Sequence, residues 1–173
     1  MLITFKDGAL EKIMESNSRR RASHNDLERL AFVYDETGNR VLDIGIHGDV
    51  WPGGHSFFFK NAKYETLDVD PYVSPTHVAD IREMPFEDET FDLIICHSVI
   101  EHVLEDRDKA YSELYRCLKT GGVIYYVIPI QIEAREVEPA KQVSKTHLLK
   151  CHDKLDYSIK ELPDRTYAME VRK

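Results

Sequence analysis

The sequence contains no apolar stretch near the roughly 20 residues that a bilayer-spanning helix requires, so no segment reads as a membrane helix. Its first residues, Met1 to Asp7, lack the positively charged lead and long apolar core of a secretory signal, and a cytoplasmic location is the expectation. Cysteine is scarce. Cys96, Cys117 and Cys151 are odd in number and far apart, which fits neither a disulfide framework nor a zinc ribbon. Cys96 ends an apolar run and Cys117 lies in a helical pattern, so both read as small buried hydrophobes. None of the eight histidines has ligand spacing with a cysteine partner, and no metal is expected. Basic clusters are also missing apart from Arg19-Arg20-Arg21, which reads as a solvated helix end. With a net charge of -8 the long-range field repels a phosphate backbone, and no nucleic-acid partner is expected.

What is present describes one ordinary globular domain: 173 residues, 42% hydrophobic and 31% charged, with no repeat, low-complexity tract or linker. Residues 1–38 read as helical. Asp7 can cap a first helix carrying Leu10, Ile13 and Met14. Asn25 and Glu28 have capping-box spacing for a second, with Leu27, Leu30, Ala31 and Tyr34 on one face and Gly38-Asn39 at its end.

From residue 40 the pattern changes to short apolar runs that stop at glycine or acidic residues. Val41 to Ile44, Tyr64 to Leu67, Thr76 to Val78, Phe91 to Cys96 and Val123 to Ile128 are five strand candidates. The last two are apolar without alternation, the mark of strands buried on both faces of a parallel sheet. Between them Asp106 or Asp108 can cap a helix bearing Ala110, Leu114 and Leu118, closed by Gly121-Gly122, which completes a βαβ unit. Residues 131–173 form an abbreviated carboxyl-terminal segment in which Thr166 to Arg172 alternates as an edge strand would. The fold class implied is α/β, a doubly wound and mostly parallel sheet flanked by helices.

Ligands of such sheets bind outside the carboxyl ends of the strands. Those ends carry Asp43-Ile44-Gly45-Ile46-His47-Gly48, Asp68-Val69-Asp70, Asp80-Ile81 and His97-Ser98. Glycine after a strand lets a ligand approach the backbone. An acidic residue about 20 positions further on can accept the hydroxyls of a ribose, and Asp68 stands at that distance.

Taken in order, Val41-Leu42-Asp43-Ile44-Gly45, Glu65-Thr66-Leu67-Asp68-Val69-Asp70-Pro71, Val78-Ala79-Asp80 leading to Met84-Pro85-Phe86, Phe91-Asp92-Leu93-Ile94-Ile95 through Glu101-His102-Val103, and Leu118-Lys119-Thr120-Gly121-Gly122 resemble the successive motifs of class I S-adenosylmethionine-dependent methyltransferases over roughly residues 40–130. The resemblance implies a Rossmann-like fold with S-adenosylmethionine as cofactor. Gly45 and Gly48 would shape the turn beside the methionine part and Asp43 would lie near its amino group. Asp68 would hold the ribose, and Asp80 the adenine amine with the Ile81 backbone beside the ring. His97 would face the methionine moiety and the incoming substrate. The family's second glycine falls where His47 stands, and the Asp70 to Thr76 connection is too short for the helix usually found there.

Methyl transfer is an in-line displacement that mainly demands alignment and exclusion of water. An acceptor hydroxyl or ammonium also needs a base, for which an imidazole with a pKa near about 6.5 is suited. His97 is the first candidate and His102 the second. No Asn-Pro-Pro-Tyr or Asp-Pro-Pro-Tyr follows the fourth strand, which favours a small-molecule acceptor over a base in DNA. The rival is a non-catalytic binding or interaction module of the same fold. A nicotinamide-dependent dehydrogenase is a distant third reading, opposed by the missing third glycine.

Overall fold

The computed structural model describes residues 18–46, 54–129, 143, 145–162 and 166–173. The helix expected over the first 14 residues lies outside them. Helix α1 (Ser18–Tyr34) is followed by β1 (Arg40–Ile44), β2 (Lys63–Asp68), β3 (His77–Val78), β4 (Phe91–His97), α2 (Arg107–Cys117), β5 (Leu118–Pro129), α3 (Lys145–Cys151), β6 (Asp156–Leu162) and β7 (Thr166–Arg172). The strands form one sheet in the order β3-β2-β1-β4-β5-β7-β6. The first five run parallel, and β7 is inserted antiparallel between β5 and β6.

The strand order reverses direction between β1 and β4. At such a switch point successive connections leave in opposite directions and open a crevice beyond the strand ends. Side-chain alternation sorts the core into two layers. Val41, Leu93, Ile95, Val123, Tyr125 and Val127 pack with Leu27, Leu30 and Ala31 of α1. Leu42, Ile44, Ile94, Cys96, Ile124 and Tyr126 pack with Ala110, Leu114 and Cys117 of α2 and with Leu148 of α3. Because both layers are built of buried apolar side chains, β4 and β5 are apolar at nearly every position, as buried parallel strands are.

Several boundaries differ from the sequence expectation. Helix α1 begins at Ser18, so Asn25 is an exposed residue within it and not its cap. The arginine triplet falls in its first turn. Helix α2 ends at Cys117, and Leu118 already belongs to β5, with the ladder to β4 shifting register between Phe91 and Leu93. Asp106 stands at the cap position of α2 in a left-handed conformation and makes no side-chain capping bond.

Strand β7 is not an edge. It is flanked by β5 and β6 and buries Ala168 as well as Met169 and Val171, so it contributes to both layers. Strand β6 and helix α3 have no counterpart in the sequence reading; the alternating exposure of β6 is that of a true edge with weak apolar patterning. The carboxyl-terminal part supplies the last two strands, so that the sheet reaches seven. Short connections were legible: Asp70 to Thr76 holds only a 3-10 turn, Pro71–Val73, in which the Tyr72 amide donates to Asp70 Oδ1 at 2.9 Å.

Candidate active site

A cavity of about 410 Å³ opens at the carboxyl ends of β1 to β3, closed on its far side by residues that follow β4. Gly45, Asp68, Asp80, Ile81, Val99 and His102 all line it. The sheet thereby brings together, from four separate stretches of sequence, most of the residues singled out by their position after apolar runs.

Gly45 has φ +76, and a Cβ there would overlap Cγ2 of Val99. Both the left-handed backbone and the close packing demand glycine. Val99 is brought over it by Ser98, itself at φ 57, whose amide donates to the Val127 carbonyl at 2.8 Å. Asp68 is half-buried at the end of β2, and its Oδ1 accepts the Asp70 amide at 2.9 Å. The same carboxylate lines the cavity, with acceptor sites to spare for a diol. Asp80 also lines it but is already engaged. Arg82 donates to both of its oxygens, from Nε at 3.0 Å and Nη2 at 2.6 Å, and its amide adds a bond to Oδ1 at 2.8 Å. These bonds, with the Arg82 charge, outweigh burial and hold the Asp80 carboxyl below its ordinary value. Apolar side chains of Leu67, Val69, Ile81 and Leu104 supply the walls.

A second polar centre sits on the α1 face of the same strand ends. Asp43 is 2% exposed, and its Oδ2 accepts three bonds: from the His55 amide and the His55 ring Nδ1, each at 2.9 Å, and from the Tyr64 hydroxyl. Burial pushes the Asp43 carboxyl up, but the His55 charge and these hydrogen bonds outweigh it and hold it low. Burial likewise opposes charge on His55, yet the facing carboxylate raises its imidazole above the ordinary value. The Tyr64 phenol is driven far up by burial and by Asp43, so it remains a donor. Gly54, at φ +61, makes the arrangement possible, because a Cβ there would overlap Asp43 Oδ2.

His97 belongs to this second centre and not to the cavity. Counting along β4 places it on the same face as Leu93 and Ile95, where its Nε2 lies 3.4 Å from Ser23 Oγ of α1 and its ring 5.4 Å from that of His55. His102 is exposed at the cavity rim. Gly48 and His47 lie outside the described residues. Sequence reasoning missed His55, Tyr64 and Arg82. His55 follows a Gly53-Gly54 pair that reads as an ordinary turn, and nothing in periodicity links it to Asp43 twelve residues earlier. Among the described residues no three ligating side chains converge as a metal would require.

Residues 49–126 match the family model described as a methyltransferase domain. That match covers the second to fifth strands, and the strand order 3-2-1-4-5-7-6 with an antiparallel seventh strand is the frame in which these motifs sit. In its matched motifs and its fold the chain is similar to the class I S-adenosylmethionine-dependent methyltransferases. A phosphatidylethanolamine N-methyltransferase of Cereibacter sphaeroides is 27% identical to this chain over 153 residues, spanning 80% of the chain and 68% of that protein. An uncharacterized protein of Methanocaldococcus jannaschii is 44% identical over 50 residues, which is 29% of the chain and only 21% of that protein. The N-methyltransferase NodS of Bradyrhizobium japonicum, solved with S-adenosylhomocysteine, superposes with a TM-score of 0.66 at 18% identity, covering 92% of this chain and 90% of that one.

The cavity suits S-adenosylmethionine, the cofactor of the proteins it resembles, in chemistry. It offers a carboxylate for the ribose diol, a second for an exocyclic amine, apolar walls for a ring, and a glycine that brings the backbone to the surface. No helix among the described residues is long and apolar enough to cross a membrane.

Proposed function

We propose that this protein is an S-adenosylmethionine-dependent methyltransferase that methylates the amino group of a small molecule, with Asp68, Asp80, Ile81 and Gly45 holding the cofactor in the 410 Å³ cavity. The observation that carries the reading is the convergence of those residues on one cavity at the switch point of the sheet. When bound, the cofactor supplies a methyl group on a positively charged sulfur, an electrophile that needs no covalent help from the protein.

The chain's residues then have three tasks. Asp68 accepts hydrogen bonds from the ribose, and Asp80, with a carboxylate able to take more donors than Arg82 supplies, accepts the adenine amine. Leu67, Val69, Ile81 and Leu104 exclude water from the ring. On the α1 face the imidazole of His97 stands near the strand end where an acceptor would meet the methyl group, and His102 at the rim is the second candidate base. An amine is favoured as acceptor because two similar proteins are N-methyltransferases by name and because an ammonium must shed a proton before it can attack. A cytoplasmic setting agrees with a small acceptor.

Titration calorimetry with S-adenosylhomocysteine tests the cofactor assignment. The expected dissociation constant is in the micromolar range, about -7 to -8 kcal/mol. No heat at millimolar ligand overturns it. Transfer of a tritiated methyl group to ethanolamine, phosphoethanolamine and vesicles of phosphatidylethanolamine separates a small acceptor from a lipid one, and labelling of vesicles alone would replace the small-molecule reading.

A further inference from the structure

A buried carboxylate, two imidazoles and a hydroxyl are strung together across the α1 face: Asp43 from β1, His55 from the β1–β2 connection, His97 from β4 and Ser23 from α1. The contacts run from Asp43 Oδ2 to His55 Nδ1 at 2.9 Å, from the His55 ring to the His97 ring at 5.4 Å between centroids, and from His97 Nε2 to Ser23 Oγ at 3.4 Å. Among the described residues, the titratable groups placed against His55 include Asp43 from β1, Tyr64 from β2 and His97 from β4. Because Nδ1 is committed to Asp43, His55 exchanges protons through Nε2, and its neutral form carries the lone pair there. Anchoring the loop does not require the ring, since the His55 amide already binds both Asp43 Oδ2 and the Tyr64 oxygen.

Resting on the amine reading above, we propose that His55, oriented by Asp43, is the final acceptor of the proton that an ammonium substrate gives up, with His97 relaying it from the substrate side. An N–H bond of the ammonium breaks, and its electron pair stays on nitrogen as the lone pair that takes the methyl group. The proton passes through the His97 ring to Nε2 of His55, where the imidazolium faces a carboxylate that neutralises it. It is lost to water after product leaves. Asp43 never changes protonation. The raised imidazole and lowered carboxyl of the pair agree with this division of charge. Asp43 is then a positioning residue behind His55.

The test begins with the unaltered protein. Nitrogen-15 spectra of its histidines should show His55 as the Nδ1–H tautomer, titrating above 6.5, with the signal assigned by its loss in His55→Asn. A titration at or below 6.5, or the other tautomer, overturns the proposal whether or not any variant folds. Methyl transfer to phosphoethanolamine and ethanolamine is then followed from about pH 5 to 9. His55→Asn keeps a donor for Asp43 but cannot take a proton. It should lower kcat by about 10²- to 10⁴-fold, abolish the acid limb of the profile, and leave S-adenosylhomocysteine affinity within about twofold. Asp43→Asn should move the acid limb to lower pH, because an imidazole without the carboxylate deprotonates more readily. A simple structural anchor would not shift that limb. Wild-type kcat and profile in His55→Asn overturn the relay alone. A wild-type protein that binds S-adenosylhomocysteine yet methylates no amine overturns the amine reading and the relay with it.

Discussion

At the scale of single residues, the site depends on a few positions whose alternatives are sterically or electrostatically closed. Gly45→Ala would place a methyl group into Val99 at a backbone angle that L residues avoid, so S-adenosylhomocysteine binding should weaken at least tenfold, read by calorimetry. Asp68→Ala removes the charge-assisted bonds proposed for the ribose and should cost about 1.5–3 kcal/mol of binding with little change in melting temperature, since Asp68 is only half-buried. Unchanged affinity would place the ribose elsewhere. The Asp43–His55 pair has its own signature. The Asp43 carboxyl is held below its ordinary 3.8, so its stabilising share is present above that value and is lost as pH falls through the lower folded value. The His55 imidazole is raised above its ordinary 6.5, so its share is present below 6.5 and is lost as pH rises through the raised folded value. Both shares operate between about pH 4 and 6.5. Asp43→Asn should therefore lower the melting temperature most near pH 5 to 6 and less at pH 9, and a deficit independent of pH would deny the ion pair.

At the scale of elements, what could be read from the sequence tracks how much each element's environment is written into its own pattern. Strands β4 and β5 announce themselves because both faces are apolar, and the buried face of α1 was visible in Leu27, Leu30 and Ala31. Its start was not visible: Asn25 offered a cap, but the helix continues upstream through Ser18. Strand β7 was found and given the wrong neighbours, because alternation reports faces and says nothing of which strands flank them. The residues joining α1 to the sheet were illegible for the same reason. Asp26 of α1 is 6% exposed and accepts from the Tyr125 hydroxyl of β5 at 2.9 Å and from Lys160 of β6, partners 99 and 134 residues away. Asp26→Ala leaves the buried Tyr125 hydroxyl without that acceptor and should cost about 1–3 kcal/mol, read by urea denaturation. Adding Tyr125→Phe should recover part of the loss, since the orphaned donor is then removed, and strictly additive losses would show that the two side chains are not coupled.

At the scale of the whole molecule, the cavity exists only because β1, β2, β3 and the turn after β4 are held in register by the sheet, so the site and the fold are one cooperative object. Residues that ended strands in the sequence could be nominated for the cofactor, and of these Gly45, Asp68, Asp80 and Ile81 meet at one cavity, while Asp43 lies outside its lining. His97 was nominated by the same rule and lies on the opposite face, because the last residue of a strand points up or down according to its parity. His55 escaped notice because it belongs to a connection, whose course no periodicity fixes. The unity of site and fold makes a global measurement informative about a local claim. A ligand that binds the folded state alone stabilises it by about 2.7 kcal/mol at a concentration 100 times its dissociation constant. For a chain of this size each kcal/mol raises the melting temperature by roughly 2–4 °C. S-adenosylhomocysteine at that concentration should therefore raise it by about 5–10 °C, and Asp68→Ala at the same ligand concentration should lose most of that rise while melting normally without ligand. Equal shifts in the two proteins would mean that the ligand is held at some other surface of the sheet, and the assignment of the cavity beside Asp68 would fall.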